Sequence, residues 1–163
     1  MAKMRDAEPV RSEVLVLHTP DRAEDTPPSV MVVPVTEDGD VVMVKQYRHN
    51  LKRDTLELPS GLVTAGEGAA LLEVAEMTGY ALAPGGELHD LGTYYALPAE
   101  TNKHVHFYLA LGVRPGGTAQ EDTETSAVAL PFEQAFSLIG TAIHGLETVA
   151  ALLLARHTLG TPA

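Results

Sequence analysis

Two β-branched runs, VMVVPV (30–35) and VVMVKQY (41–47), flank the segment TEDGD and set the first limit on the fold. Asp-Gly supplies a residue that tolerates positive φ between two extended arms, so the pattern predicts an antiparallel hairpin. Both arms are apolar almost without interruption. Pro34 has no backbone N–H to give to a ladder, so it is expected at a sheet edge or at a bulge.

The rest of the chain supplies the covering layers. SEVLVLH (12–18) reads as a strand and TPDRAEDTPPS (19–29) as a loop. LELPSG (56–61) is a short strand entering a turn, and residues 69–78 read as a helix stopped by Gly79. ALAPGGE (81–87) is expected as a loop; LHDLGTYYAL (88–97) and HVHFYLALGV (104–113) are strands joined through PAETNK. RPGGTAQEDTE (114–124) is a polar loop before the strand TSAVAL (125–130). PFEQAFSLI (131–139) places Pro131 at the first helical position, and GLETVAALLLARHTL (145–159) is the strongest helix. A mixed sheet with helices packed outside it follows. The 163 residues fit one domain, with 1–29 as an N-terminal strand and linker.

Composition narrows the chemistry. The chain has no Cys, so a metal would need carboxylates, carbonyls or His. Its formal charge of −11 argues against non-specific binding to nucleic acid or to anionic membranes. LETVAALLLARHTLG is too short to span a bilayer, and the opening residues lack the apolar core of a signal peptide. A cytoplasmic location is the expectation.

Within the apolar helix at 69–78, Glu73 and Glu76 are the charged residues. Positions three apart share a helix face. Two readings stand for them: the wet side of an amphipathic helix, or a pair of hard oxygen donors for a divalent cation. The seven histidines show no metal-binding spacing, and His104 and His106 read as surface or packed residues. Of Tyr94 and Tyr95, at least one is expected in the core, because adjacent strand residues face opposite ways.

ELPSG (57–61), the glycine-rich loop with Gly66-Glu67, and the helix carrying Glu73, Glu76, Thr78 and Gly79 together resemble the signature of Nudix hydrolases. VVMVKQYRH followed by LELPSG, the segment GTYYALPAETNKHVHFYLA and the late LETVAALLLA helix resemble the ADP-ribose pyrophosphatase branch of that family. The resemblance implies an α/β/α sandwich with a mixed β-sheet between helices. It also implies a Mg²⁺ or Mn²⁺ cofactor and hydrolysis of a nucleoside diphosphate sugar such as ADP-ribose. It places Glu67, Glu73 and Glu76 as metal ligands, with Glu73 catalytic. Glu121 or Glu124 becomes a candidate general base, and Arg48 and Glu57 substrate contacts. Lys103 stands where many relatives carry an acid. Relatives in this branch pair through N-terminal strands, which implies a homodimer using residues 12–18.

The signature is altered here. The family spacing from its first Glu to Arg-Glu is seven residues, and this chain is three residues short. Leu72 stands for the Arg and Met77 for the last Glu, a principal metal ligand in relatives. A thioether is a poor partner for Mg²⁺, and Leu makes none of the bidentate contacts of Arg. Weakened metal binding is therefore expected. A second reading is a catalytically impaired domain that binds a nucleotide ligand or serves as an interaction module.

Overall fold

The computed structural model describes residues 27–62, 66–118 and 125–160, with the backbone alone at 66, 67 and 69. The expected strand at 12–18, the acids Glu121 and Glu124, and the Glu67 side chain lie outside the described residues.

The predicted hairpin is present. β1 (Ser29–Thr36) and β2 (Asp40–Arg48) are antiparallel, with Val35 opposite Val41 and Gly39 at φ 84° in the turn. From there the two strands diverge. The wedge between them is filled by β3 (Arg53–Glu57), which pairs with β2, and β4 (Ser60–Leu62), which pairs with β1. Leu58-Pro59 makes the step from one to the other, and the Pro59 carbonyl accepts the Val32 N–H at 3.0 Å.

Pro34 is not at an edge. It lies in an interior strand opposite Ala110 of β6 (His104–Pro115), one residue before the register shift at Val35/Thr36. On its other side it falls at the mouth of the wedge, between the Pro59–Val32 rung and the Val35–Val41 rung. A residue with no N–H fits there because no rung is required of it.

β6 runs parallel to β1, and β5 (Tyr80–Tyr95) is antiparallel to β6. β5 absorbs the expected loop at 81–87. Residues 83–86 have no partner in β6 and form a bulge between Leu82↔Val113 and Glu87↔Leu111, with Gly85 at φ 87°. A Cβ at Gly86 would meet the Leu111 carbonyl at 2.7 Å, and one at Gly112 would stand 3.3 Å from Gly86 Cα, so this pair of glycines allows the close approach of the two strands there. β7 (Thr125–Pro131) covers the outer side of β2. The sheet therefore has seven strands among the described residues, with order β3-β2-β1-β6-β5 and β4 and β7 as branches.

Helices cover both faces, so the sandwich expected from the sequence is present. α1 (Gly66–Thr78) buries Ala70 and Val74 against Val30, Val32, Val42, Tyr108 and Val113. On the other face α2 (Phe132–Ser137) and α3 (Leu146–Leu159) cover Met31, Val33, Val35 and Phe107 through Ala135, Ala151 and Leu152. The alternation along β1 explains why both faces of one strand are apolar. Pro131 is the N-cap of α2 and not its first residue. α1 begins three residues before the expected 69, so the short spacing is met by a short β4–α1 connection. Among the described residues no helix is long and apolar enough to cross a membrane.

Candidate active site

The α1 end of the site is fixed by glycine. Gly79, at φ 71°, ends the helix and donates its N–H to the Ala75 carbonyl at 2.9 Å. Its own carbonyl accepts the N–H groups of Gly116 at 3.1 Å and Gly117 at 3.0 Å. A Cβ at Gly117 would meet the Tyr80 carbonyl at 2.8 Å and Ala75 Cα at 3.1 Å, so only glycine fits without a shift. The root of the 114–124 connection is thereby fastened to the end of α1.

Nearly two turns back along α1 from Gly79, Glu73 lies over β4. A Cβ at Gly61 would stand 2.1 Å from the Glu73 carboxyl carbon. The bare glycine backbone is what makes room for the carboxylate. Burial, and after it the charge of Glu76, pushes the Glu73 carboxyl above the ordinary carboxylate range. Met77, one turn beyond Glu73, shares this side of the helix, and its Sδ accepts the Ser60 N–H at 3.3 Å. Ser60 and Gly61 are adjacent, so β4 receives a carboxylate and a thioether side by side.

The half-buried acids Glu73 and Glu76 suit a hard divalent cation. Their proximity is unfavourable while both are charged, and a cation between them would remove that cost. Met77 adds no hard oxygen. Among the described residues no group of three or more His, Asp or Glu side chains converges as a metal cage. Of the expected ligand set, the structure thus brings together Glu73 and Glu76.

Arg48 and Glu57 hold each other. The guanidinium donates from Nε to Glu57 Oε1 at 2.8 Å and from Nη2 to Oε2, and Thr55 Oγ1 also donates to Oε1. This fork-to-fork contact holds the Glu57 carboxyl below its usual range, against the opposing effect of burial. The expectation treated the two as separate substrate contacts, and sequence spacing gave no sign of the pair. It follows from register, because Arg48, Gln46 and Val44 face Arg53, Thr55 and Glu57 across β2 and β3. The pair leads directly into the Leu58–Gly61 step beneath Glu73.

Lys103 makes an ion pair with Glu147 at 3.4 Å. His106 contacts Asp90 at 2.9 Å and stacks on Tyr108, with ring centroids 4.4 Å apart. Neither Tyr94 nor Tyr95 is in the core: they are 46% and 62% exposed. They line an apolar groove of about 410 Å³ with Phe107, Leu146, Ala150 and Leu153 on the α3 side of the sheet, away from Glu73. The register shift between Asp90 and Gly92, with Gly92 at φ 99°, interrupts simple alternation just before these residues.

Comparison with known proteins gives this arrangement its setting. A model of the NUDIX domain matches residues 25–152. The chain belongs to the Nudix family. It is 37% identical over 87 residues to an ADP-ribose pyrophosphatase of Bacillus subtilis (strain 168), covering 52% of this chain and 45% of that protein. It is 33% identical over 106 residues to an ADP-ribose pyrophosphatase of Mycobacterium tuberculosis (strain ATCC 25618 / H37Rv), covering 63% and 50%. The chain thus spans about half the length of these two relatives. A methanol dehydrogenase activator of Bacillus methanolicus is 29% identical over 133 residues, covering 77% of this chain and 70% of that one. A crystal structure of an ADP compounds hydrolase superposes with TM-score 0.70 at 22% identity, over 81% of this chain and 72% of that one, and shares the fold. The Nudix chain described here is therefore similar to proteins named for ADP-ribose hydrolysis and to one named as an activator.

Proposed function

We propose that this Nudix chain hydrolyses the diphosphate bridge of a nucleoside diphosphate sugar, with ADP-ribose the favoured substrate. The products are a nucleoside monophosphate and a sugar phosphate. The observation that carries the reading is the Glu73 carboxylate seated on Gly61 with Glu76 beside it. The names of the pyrophosphatase relatives support the substrate class.

Glu73 and Glu76 would hold Mg²⁺ or Mn²⁺, which neutralises charge on a bound diphosphate and orients water. The chain's own contributions are positional. Gly61 lets the Glu73 carboxylate approach the backbone, beside the Ser60 N–H that Met77 Sδ accepts. The Arg48–Glu57 fork ties β2 to the end of β3, from which the chain steps into β4 where both sit. Glu121 or Glu124 accepts the proton of the attacking water in this proposal, and Glu67 completes the ligand set. The strand at 12–18 forms a homodimer.

A second reading is favoured by one observation. Met77 Sδ occupies the Ser60 N–H, at the position where relatives carry a carboxylate. On that reading the domain binds its nucleotide with little or no turnover.

The deciding experiment measures AMP release from ADP-ribose and a panel of nucleoside diphosphate sugars, with Mg²⁺ and with Mn²⁺. Turnover that disappears in Glu73→Gln supports hydrolysis. Nucleotide binding by calorimetry without AMP release supports the second reading. Absence of both overturns the proposal.

A further inference from the structure

We infer that Met77 is a reversible oxidation site, and that its sulfoxide supplies the oxygen donor that the Glu73–Glu76 pair lacks. The first half rests on the packing of the methionines. Met31 and Met43 are 4% and 0% exposed, inside the sheet core. Among the described residues Met77 is the methionine outside that core, half-buried on the β4 side of α1. A peroxide reaches a sulfur at such a position before it reaches one enclosed by the sheet. Oxidation susceptibility follows that exposure.

The second half rests on what Met77 touches. The Ser60 N–H already points at Sδ from 3.3 Å. A thioether is a weak acceptor, whereas a sulfoxide oxygen is a strong one. Oxygen adds at the sulfur lone pair that faces away from Ser60, and a swing of the flexible side chain then brings that stronger acceptor within reach of the N–H. Glu73 lies one turn away on the same side of α1, with its carboxylate on the residue adjoining Ser60. Oxygen delivered to Sδ arrives beside the carboxylates, where a divalent cation takes hard ligands.

The chemistry balances with hydrogen peroxide as the oxidant. One peroxide oxygen bonds to Sδ, the O–O bond breaks, and the other oxygen leaves as water. The sulfur is oxidised and the peroxide reduced. Return to the thioether needs a thiol-dependent methionine sulfoxide reductase, which removes the oxygen as water.

The metal half rests on the reading of Glu73 and Glu76 proposed above, and the test separates the two. The full chain is treated with graded hydrogen peroxide and mapped by peptide mass spectrometry. Met77 gains one oxygen before Met31 and Met43; equal rates, or a Met77 that stays reduced, overturn the oxidation site. Mn²⁺ affinity is then measured by calorimetry. Affinity should tighten about tenfold on oxidation. It should return after reductase treatment, and be unchanged by peroxide in Met77→Leu. A reduced chain that binds Mn²⁺ with an affinity oxidation does not improve overturns this inference alone. A chain that binds no Mn²⁺ in either form overturns the Glu73–Glu76 metal reading and, with it, the metal half of the inference.

Discussion

The Glu73 carboxylate rests on the backbone of Gly61, close enough that any Cβ at 61 would overlap it. Gly61 is not in the left-handed region, so its backbone accepts alanine. The atom in the way is the far end of a flexible side chain, which rotates aside at little cost. Gly61→Ala should therefore change stability by less than about 1 kcal/mol. It should weaken Mn²⁺ binding about tenfold or more if the displaced, half-buried carboxylate is the ligand proposed above. Thermal melts with and without Mn²⁺, beside calorimetry, check both halves. A variant that binds Mn²⁺ as well as the parent refutes the cradle.

Glu73→Gln should separate binding from stability. Burial and Glu76 raise the folded-state pKa of Glu73. The folded chain thus binds more protons at this site than the unfolded chain. The contribution of Glu73 to stability is largest below its unfolded value and is lost as pH rises through the raised folded value. At neutral pH without metal, Glu73→Gln should melt no lower than the parent. Its acid-side dependence should flatten. Mn²⁺ affinity of the parent should fall as pH drops through the same window, since a proton competes for the ligand. Melting temperatures across a pH series decide the point, and a Gln variant that melts well below the parent at neutral pH contradicts it.

Met77→Glu should put a third carboxylate beside the Ser60 N–H. Tighter Mn²⁺ binding and faster AMP release are expected. The metal-free variant should be less stable than the parent by a few tenths of a kcal/mol, or about 0.5, for each like-charge helical neighbour. Saturating Mn²⁺ should reverse that loss by mass action. Leu72 is 55% exposed, so Leu72→Arg should shift stability little and add less to turnover. Unchanged metal affinity in Met77→Glu would place the fault in the shortened connection.

Arg48→Met should leave the half-buried Glu57 with Thr55 as its remaining described partner. Because Arg48 is 43% exposed, the ion pair is partly screened and the loss should be about 1 kcal/mol. Glu57 has its pKa lowered by Arg48, so the pair's contribution is present above the unfolded carboxylate value and fades as pH falls through the folded one. Arg48→Lys should restore only part of it, since an ammonium makes no fork. Urea unfolding at neutral and acid pH checks this; full rescue by Lys would argue against the bidentate contact.

Much of the architecture was legible because it is local. The Asp-Gly turn, the apolar runs and the glycine after Thr78 each act within a few residues, and β1, β2 and α1 lie close to where those signals put them. The misreadings come from neighbours distant in the chain. Pro34 lies beside the Val35/Thr36 bulge, one of its two expected placements; the edge alternative fails because Leu58-Pro59 fills a wedge that no property of residues 30–35 reveals. Residues 81–87 carry loop-like Pro and Gly, yet β6 pairs with both ends of the segment and 83–86 form a bulge within one strand. At the site, the helical spacing of Glu73 and Glu76 was readable. The partners were not: the Gly61 cradle, the Ser60 donor and the Arg48–Glu57 fork all depend on strand register.

The two hydrogen bonds that Gly116 and Gly117 give to the Gly79 carbonyl have a kinetic consequence. They place the base of the 114–124 segment in the same cooperative unit as the C-terminal turn of α1. Fraying of that turn releases both amides at once, and their solvent exchange follows the opening of the helix end. The site would then be disassembled and rebuilt as one event, with the helix acids and the root of the acidic segment leaving and returning together.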